Sequence, residues 1–476
     1  MAKSTALTSS SVTPHASSYR DPAGFVFSHK GTIYRQINKA GQADFDFFIS
    51  SGLYDVLVTE KLIVAHATVK KPTDFGEDSQ RYQIIKPERI PFISYPYEWS
   101  FAQLKDAALL TLRIQNLAMK HGMILKDASA YNVQFIGKQP IFIDTLSFAV
   151  YETGKPWDGY KQFCEHFIAP LAVARYTTYD ALKLLQSNLE GVPLNLATKL
   201  LPKRARFNAG LFSHIYLHNS SQRRFEKSGA KSDTEAQEVK VRPMSPLAFQ
   251  GLMASMERTV KSLKPPVSQT EWGNYYDFTN YTEKGFKEKH SMVTKFIKEV
   301  SPTPQMVWDF GANNGEFSQI AAGQGIQTVA WDIDPIAVGR NYLHKEHTDR
   351  MLPLIQDCVS PSPALGWMGT ERESLFERGP ADITMMLALI HHLAIGRNLP
   401  LPRVADFLAS TSKHVIIEFV PKGDSKVDIL LASRKDIFPD YDIEHFQAAM
   451  EQHFKLVKMQ KIPHTKRTLF LFKKKS

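Results

Sequence analysis

The apolar run Met306 to Phe310 ends in a turn that carries two glycines, Gly311 and Gly315, and then enters a segment with helical patterning. Without a Cβ the backbone can approach a ligand closely, and the first turn of the helix beyond offers free N–H groups. A second run, Thr328 to Ile333, closes on two acidic residues, Asp332 and Asp334, roughly 20 residues past the turn. A carboxylate there can accept hydrogen bonds from both hydroxyls of a ribose, so turn and acid together point to a nucleoside-bearing ligand. Taken singly, the glycines read equally as a generic turn, and Asp332 as a helix cap.

Such residues need a scaffold. From Met306 onward short β-rich runs alternate with helix-like segments: Met306 to Phe310, Thr328 to Ile333, Ile383 to Leu389, Val415 to Phe419, and a late pair, Phe454 to Lys461 and Thr468 to Phe472. The alternation predicts an α/β fold, a mostly parallel sheet covered by helices. Helical patterning also spans Pro246 to Lys264, stopped by Pro265 and Pro266, and Glu283 to Val300, ending before Pro302. Between them lies an aromatic cluster, Trp272, Tyr275, Tyr276, Phe278 and Tyr281.

A chain of 476 residues exceeds what one core organises, and the polar stretch Asn219 to Val241 divides it. The expected organisation is a disordered tail at 1–22, an α+β domain at 23–216, a linker at 217–245 and the α/β domain at 246–476. The Ser/Thr/Ala-rich start lacks the apolar core of a secretory signal, and no run reaches the ~18 apolar residues of a membrane span. A cytoplasmic protein with no membrane partner is therefore expected. Only Cys164 and Cys358 are present, which excludes a disulfide framework and a cysteine-built zinc site, and no metal is expected. The net charge of +10 favours anionic partners. The excess is spread along the chain, however, and no basic stripe interleaved with aromatics points to nucleic acid. The oligomeric state is not legible.

The segments "VWDFGANNG" and "AWDIDPIAV" resemble the first and second motifs of class I S-adenosylmethionine-dependent methyltransferases, and the resemblance extends over about Trp272 to Phe472. It implies a doubly wound, seven-stranded, mostly parallel sheet with S-adenosylmethionine as cofactor. Asp309, Gly311 and Gly315 fall on matching positions, with Asn313 where many members carry a glycine; asparagine tolerates left-handed backbone better than most residues. The resemblance puts Asp332 on the ribose, with Asp334 as the second candidate. It sets Asp357 of "LIQDC" against the adenine amino group, with Cys358 offering a backbone amide. Ala388, Leu389 and His391 of "ADITMMLALIHHL" would line the place where donor and acceptor meet. "VIIEFVP" matches the fifth strand, with Glu418 at its end, and "HTKRTLFLF" the closing hairpin strand. The aromatic cluster then reads as a flap over the cofactor, or as core packing.

Methyl transfer from a sulfonium is an in-line displacement governed by alignment, with a base needed only for a protonated acceptor. Histidine is the natural base near neutrality, so His391 or His392 is expected to be catalytic, with Glu418 behind them. The other readings are a histidine packed in the core and a glutamate that caps or pairs. The long segment Pro421 to Gln447 is expected to shape an acceptor pocket through Lys422, Asp424 and Arg434, or to be a solvated insertion.

In the first half, Phe101 to His121 predicts a mostly buried helix ended by Gly122. In the "LKDASAYN" and "FIDTLSF" segments that follow, Asp127, Asn132 and Asp144 resemble the catalytic and metal-binding loops of protein-kinase-like and aminoglycoside-kinase-like enzymes. There the first Asp orients an acceptor hydroxyl while the Asn and second Asp hold magnesium. Lys61 is the candidate ion-pairing lysine, but no Gly-rich phosphate loop precedes it. An Asx-rich loop, a kinase-like scaffold that presents substrate, and active phosphoryl transfer are the three readings. The function expected is methyl transfer to an acceptor the sequence does not identify, aided by the N-terminal domain. The alternatives are a bifunctional protein that also binds ATP and magnesium, and a non-catalytic binding protein that keeps the fold.

Overall fold

A computed structural model describes residues 12, 14–229, 243–266, 283–344, 348–432 and 434–475. The aromatic cluster between Trp272 and Tyr281 lies outside them. Near the N-terminus β1 (Gly24–His29) and β2 (Thr32–Asn38) form an antiparallel hairpin, turned at Lys30 and Gly31, both at positive φ. With β3 (His66–Thr68) and β4 (Arg81–Pro87) they make a four-stranded sheet in the order β1-β2-β4-β3. The helix Phe101–Lys120 follows. It starts at Ser100, whose Oγ accepts from the Gln103 amide while Gln103 Oε1 accepts from the Ser100 amide, and the reciprocal pair satisfies donors the first turn leaves open. Next come β5 (Met123–Leu125), β6 (Val133–Ile136), β7 (Gln139–Phe142) and β8 (Phe148–Val150), paired as β5 with β8 and β6 with β7.

Two boundaries differ from expectation. Within the stretch assigned to a disordered tail, Pro14 bridges to Phe27 and Arg20 forms ion pairs with Glu371 and Glu190. The segment assigned to the linker begins as the helix His218–Gly229, an element without the apolar stripe that would have marked it in the sequence.

The second half builds one seven-stranded sheet from β9 (Met306–Phe310), β10 (Gln327–Asp332), β11 (Met351–Ile355), β12 (Ala381–Met386), β13 (Ser412–Phe419), β14 (Phe454–Lys461) and β15 (Thr468–Lys474). Their order is β11-β10-β9-β12-β13-β15-β14, parallel except for β15 and β14. This is the doubly wound arrangement expected for class I methyltransferases. Successive side chains on a strand point to opposite faces. Val307 therefore joins Ile383, Met385, Ile416 and Leu471 under Met292, Val293 and Phe296 of the helix Glu283–Glu299, while Trp308 and Phe310 face the other way with Trp331.

That second face is shared with the N-terminal half, and one apolar core runs through both. Phe92 meets Trp308 and Trp331 edge-on, at 5.8 and 5.6 Å between ring centres. At its rim Arg378 forks onto the Glu98 carboxylate, Nη1 to Oε2 at 2.8 Å, and lies over the rings of Phe92 and Tyr95. Gln103 donates to the Pro353 carbonyl at 3.0 Å, and Tyr342 Oη to Asp106 at 2.7 Å. The N-terminal half is thus seated against β10, β11 and the helix Pro335–Leu343.

Candidate functional site

Strand order reverses between β9 and β12, and a crevice must open at the C-terminal ends of the strands there. A cavity of about 320 Å³ occupies it, within the ~300–1,000 Å³ usual for small-molecule sites. Nine of the predicted residues line it: Asp309 in β9, Gly311 and Asn313 after it, Asp332 at the end of β10, Asp357 and Cys358 after β11, and Ala388, Leu389 and His392 after β12.

The glycine turn divides its labour. Gly311, at φ +76°, passes beside Leu389, whose side chain would be 3.3 Å from a Cβ. Gly315, at φ +87°, is not in the cavity wall; a Cβ there would stand 2.5 Å from Asn341, so its role is to let turn and helix close together. Asn313 takes φ +51°, the left-handed geometry its side chain tolerates. Ala388 takes the same φ of +51°, a conformation that costs a residue with a Cβ of order 1 kcal/mol and is held where the cavity wall turns.

Asp332 is fixed by the backbone it faces. Oδ2 accepts from the Asn313 amide at 2.7 Å and Oδ1 from the Asp334 amide at 2.9 Å, tying the end of β10 to the glycine turn. Burial pushes its carboxyl up to about 6 against these two bonds. Asp309, which accepts from Ser318 Oγ at 2.6 Å, is pushed by burial to about 7, with Lys289 pulling the other way.

Three assignments from the sequence change. Asp334 lies outside the cavity wall and caps the helix Pro335–Leu343, its Oδ1 accepting from the Ile336 amide at 2.8 Å. Glu418 is fully buried, 2.6 Å from Lys289 Nζ and 3.3 Å from Arg467 Nη1, and Arg467 continues to Asp424 at 2.7 Å. The carboxylate is thus clamped between two cations and does not line the cavity. His391 is buried behind His392, 4.1 Å between ring centres, and only His392 reaches the cavity. Burial, then the nearby cations Lys426 and Arg467, lower His392 to about 4, so its imidazole is neutral near pH 7. Among the segment's acceptor-pocket candidates, Lys422 binds Asp436, Asp424 binds Arg467, and Arg434 donates to the Ile395 carbonyl at 2.6 Å; none lines the cavity.

The sequence reading missed several wall residues. Ile333 and Val359, apolar yet more than a third exposed, sit one and two residues past Asp332 and Asp357, as flanks for a flat base. Their β-branched side chains, just past Asp332 and Asp357, were the available signal. Gln356 is buried with Nε2 lacking a partner while Oε1 accepts from Ser362, an orphan donor in the cavity wall. Lys289 and Phe317 close the far side, the ammonium 4.3 Å from the ring centre.

The kinase-like residues also come together, with a difference. Asn132 Nδ2 donates to Ser147 Oγ at 3.1 Å, which donates to Asp144 Oδ2 at 2.6 Å, and Asp127 lies close enough for Asp144 to raise its pKa, after the larger effect of burial. Asp144 is ion-paired with Arg35 of β2, not with Lys61, which is exposed at the end of a turn. Against the upward pull of burial, the Arg35 guanidinium and the Ser147 hydroxyl hold the Asp144 carboxyl below its usual range.

No family model matches the sequence. A curated relative, nodulation protein NoeA of Rhizobium meliloti (strain 1021), is 35% identical over 462 residues, which span 96% of each chain. Among solved structures, magnesium protoporphyrin IX methyltransferase (ChlM) from Synechocystis PCC 6803 with bound SAH aligns with 43% of this chain and 93% of its own, at 14% identity and a TM-score of 0.31. N-methyltransferase NodS from Bradyrhizobium japonicum WM9 aligns with 41% of this chain and 98% of its own, at 10% identity and a TM-score of 0.30. WbdD aligns over 39% of this chain at 18% identity and a TM-score of 0.30, and the match spans 40% of WbdD's length.

Proposed function

The chain belongs to the family of nodulation protein NoeA, and on that premise we propose that it transfers a methyl group from S-adenosylmethionine to an acceptor that enters the cavity beside β12. The observation that carries this reading is Asp332, held by two backbone amides at the lip of a switch-point cavity with its carboxylate in the wall. The wall fits the cofactor. Asp332 suits the ribose hydroxyls, Ile333 and Val359 suit the two faces of the base, and the orphan Gln356 amide suits a ring nitrogen. When bound, the cofactor supplies an electrophilic methyl carbon.

The chain's own task is alignment. The strained Ala388 and Leu389 shape the wall on the acceptor side, and in-line geometry is the main source of rate in such a displacement. His392, neutral near pH 7, is placed to accept a proton from an acceptor hydroxyl or ammonium. The N-terminal half then serves as scaffold, seated on the adenine side of the sheet through Glu98 and Arg378. Phosphoryl transfer is not favoured there, because the Arg35 guanidinium already occupies the carboxylate that Asp144 would offer to a metal. Calorimetry with S-adenosylmethionine and with S-adenosylhomocysteine tests the reading. Micromolar or tighter binding of both is expected, and no affinity for either overturns it.

A further inference from the structure

Between Gly191 and Phe225 the chain has no aspartate or glutamate at all, yet six lysines and arginines. The folded segment turns part of this charge outward. A turn, Lys203–Phe207, is pinned at its centre by buried Ala205 and at its end by Asn208, whose side chain accepts from the Leu211 amide at 3.0 Å. Pinned this way, the turn presents Arg204, Arg206 and Phe207 to solvent. Arg206 lies over the Tyr216 ring at 5.1 Å and Arg204 over Tyr176 at 5.9 Å, so their partners are rings and no carboxylate neutralises them among the described residues. Phe207 is 90% exposed, and Leu200, Phe212 and Leu217 on the adjoining segments are exposed too.

We infer that this face, centred on Arg204, Arg206 and Phe207, docks on the surface of a membrane that contains anionic phospholipid. A ring left 90% bare stands clear of the protein instead of lining a groove, which suits insertion among acyl chains more than packing against a folded partner. Cations beside it would meet lipid phosphates, and bulky apolar side chains interleaved with arginine are the composition of interfacial anchors. No described helix is long and apolar enough to cross a membrane, and the docking inferred for this face needs none. The composition that argued against a span says nothing against such a surface. This inference is independent of methyl transfer.

Sedimentation of the full chain with lipid vesicles tests it. Binding is expected to vesicles of phosphatidylcholine with phosphatidylglycerol, to be weak on phosphatidylcholine alone, and to fall as salt is raised. Arg204→Glu combined with Arg206→Glu should lower the partition coefficient about tenfold or more. Phe207→Ala should lower it severalfold with an unchanged circular-dichroism melt, since so exposed a ring supports no packing. Equal binding to both vesicle types, or no binding, overturns the inference. So does binding to duplex DNA as tight as to anionic vesicles with Phe207→Ala without effect, which would mark a general polyanion surface.

Discussion

Replacing Asp332 by asparagine separates the grip on ribose from the stability of the fold, because the two pull on this carboxylate in opposite directions. Burial raises its carboxyl from 3.8 to about 6, against the amides of Asp334 and Asn313. Keeping it charged above about pH 7 therefore costs the fold on the order of 3 kcal/mol. Asparagine removes that cost but turns an NH2 toward one of the two amide donors, which costs ~1–3 kcal/mol. The two changes nearly cancel, and urea unfolding should find the variant within about 1 kcal/mol of wild type. Binding has no such compensation. Two ribose hydroxyls on a charged acceptor contribute ~1.5–3 kcal/mol each, so affinity for S-adenosylhomocysteine should fall by roughly 100-fold or more. The pH dependence carries the same signature. Since the raised carboxyl prefers its protonated form in the fold, its contribution to stability is largest below about pH 4 and is lost as pH rises through about 6. Affinity runs the other way, falling about tenfold per pH unit below 6 in wild type and staying flat in the variant. Calorimetric affinity within about threefold of wild type, or a wild-type affinity independent of pH between 5 and 7, would refute the assignment.

Three further outcomes are expected. His392→Ala should lower kcat by roughly 100-fold or more while His391→Ala leaves kcat nearly intact, and wild-type kcat should be flat above about pH 5 and fall toward 4; steady-state rates that ignore both substitutions remove the base. Glu418→Gln should destabilise the protein by ~3–5 kcal/mol in urea unfolding, since it strands Lys289 and Arg467 in the interior; an unchanged midpoint with lost turnover would instead return Glu418 to the chemistry. Titration of ATP with magnesium should give no binding heat, and an affinity that Asp144→Ala abolishes would reinstate phosphoryl transfer.

What the sequence disclosed and what it hid follow from the range of the interactions. The strand, glycine turn and strand-end acid are local patterns, and local backbone geometry brought Asp309, Gly311, Asn313 and Asp332 to one cavity. The choice between Asp332 and Asp334 was also written locally: a proline at the first helical position makes the preceding aspartate the natural cap. Glu418 could not be read in this way, because its partners Lys289 and Arg467 come from a distant helix and from the turn before β15. Arg35 is likewise joined to Asp144 only by folding, while Lys61, the candidate ion-pairing lysine, is exposed on its turn. The helix at His218–Gly229 escaped because its residues carry no apolar stripe.

The Glu98 and Arg378 pair, closed over the rings of Phe92 and Tyr95, leaves no room for a hinge. Severing the chain before Pro246 would strip Trp308 and Trp331 of their cover and strand a guanidinium among bare rings. The catalytic fragment would then be sticky and unstable on its own, and heat should melt the intact protein in a single transition.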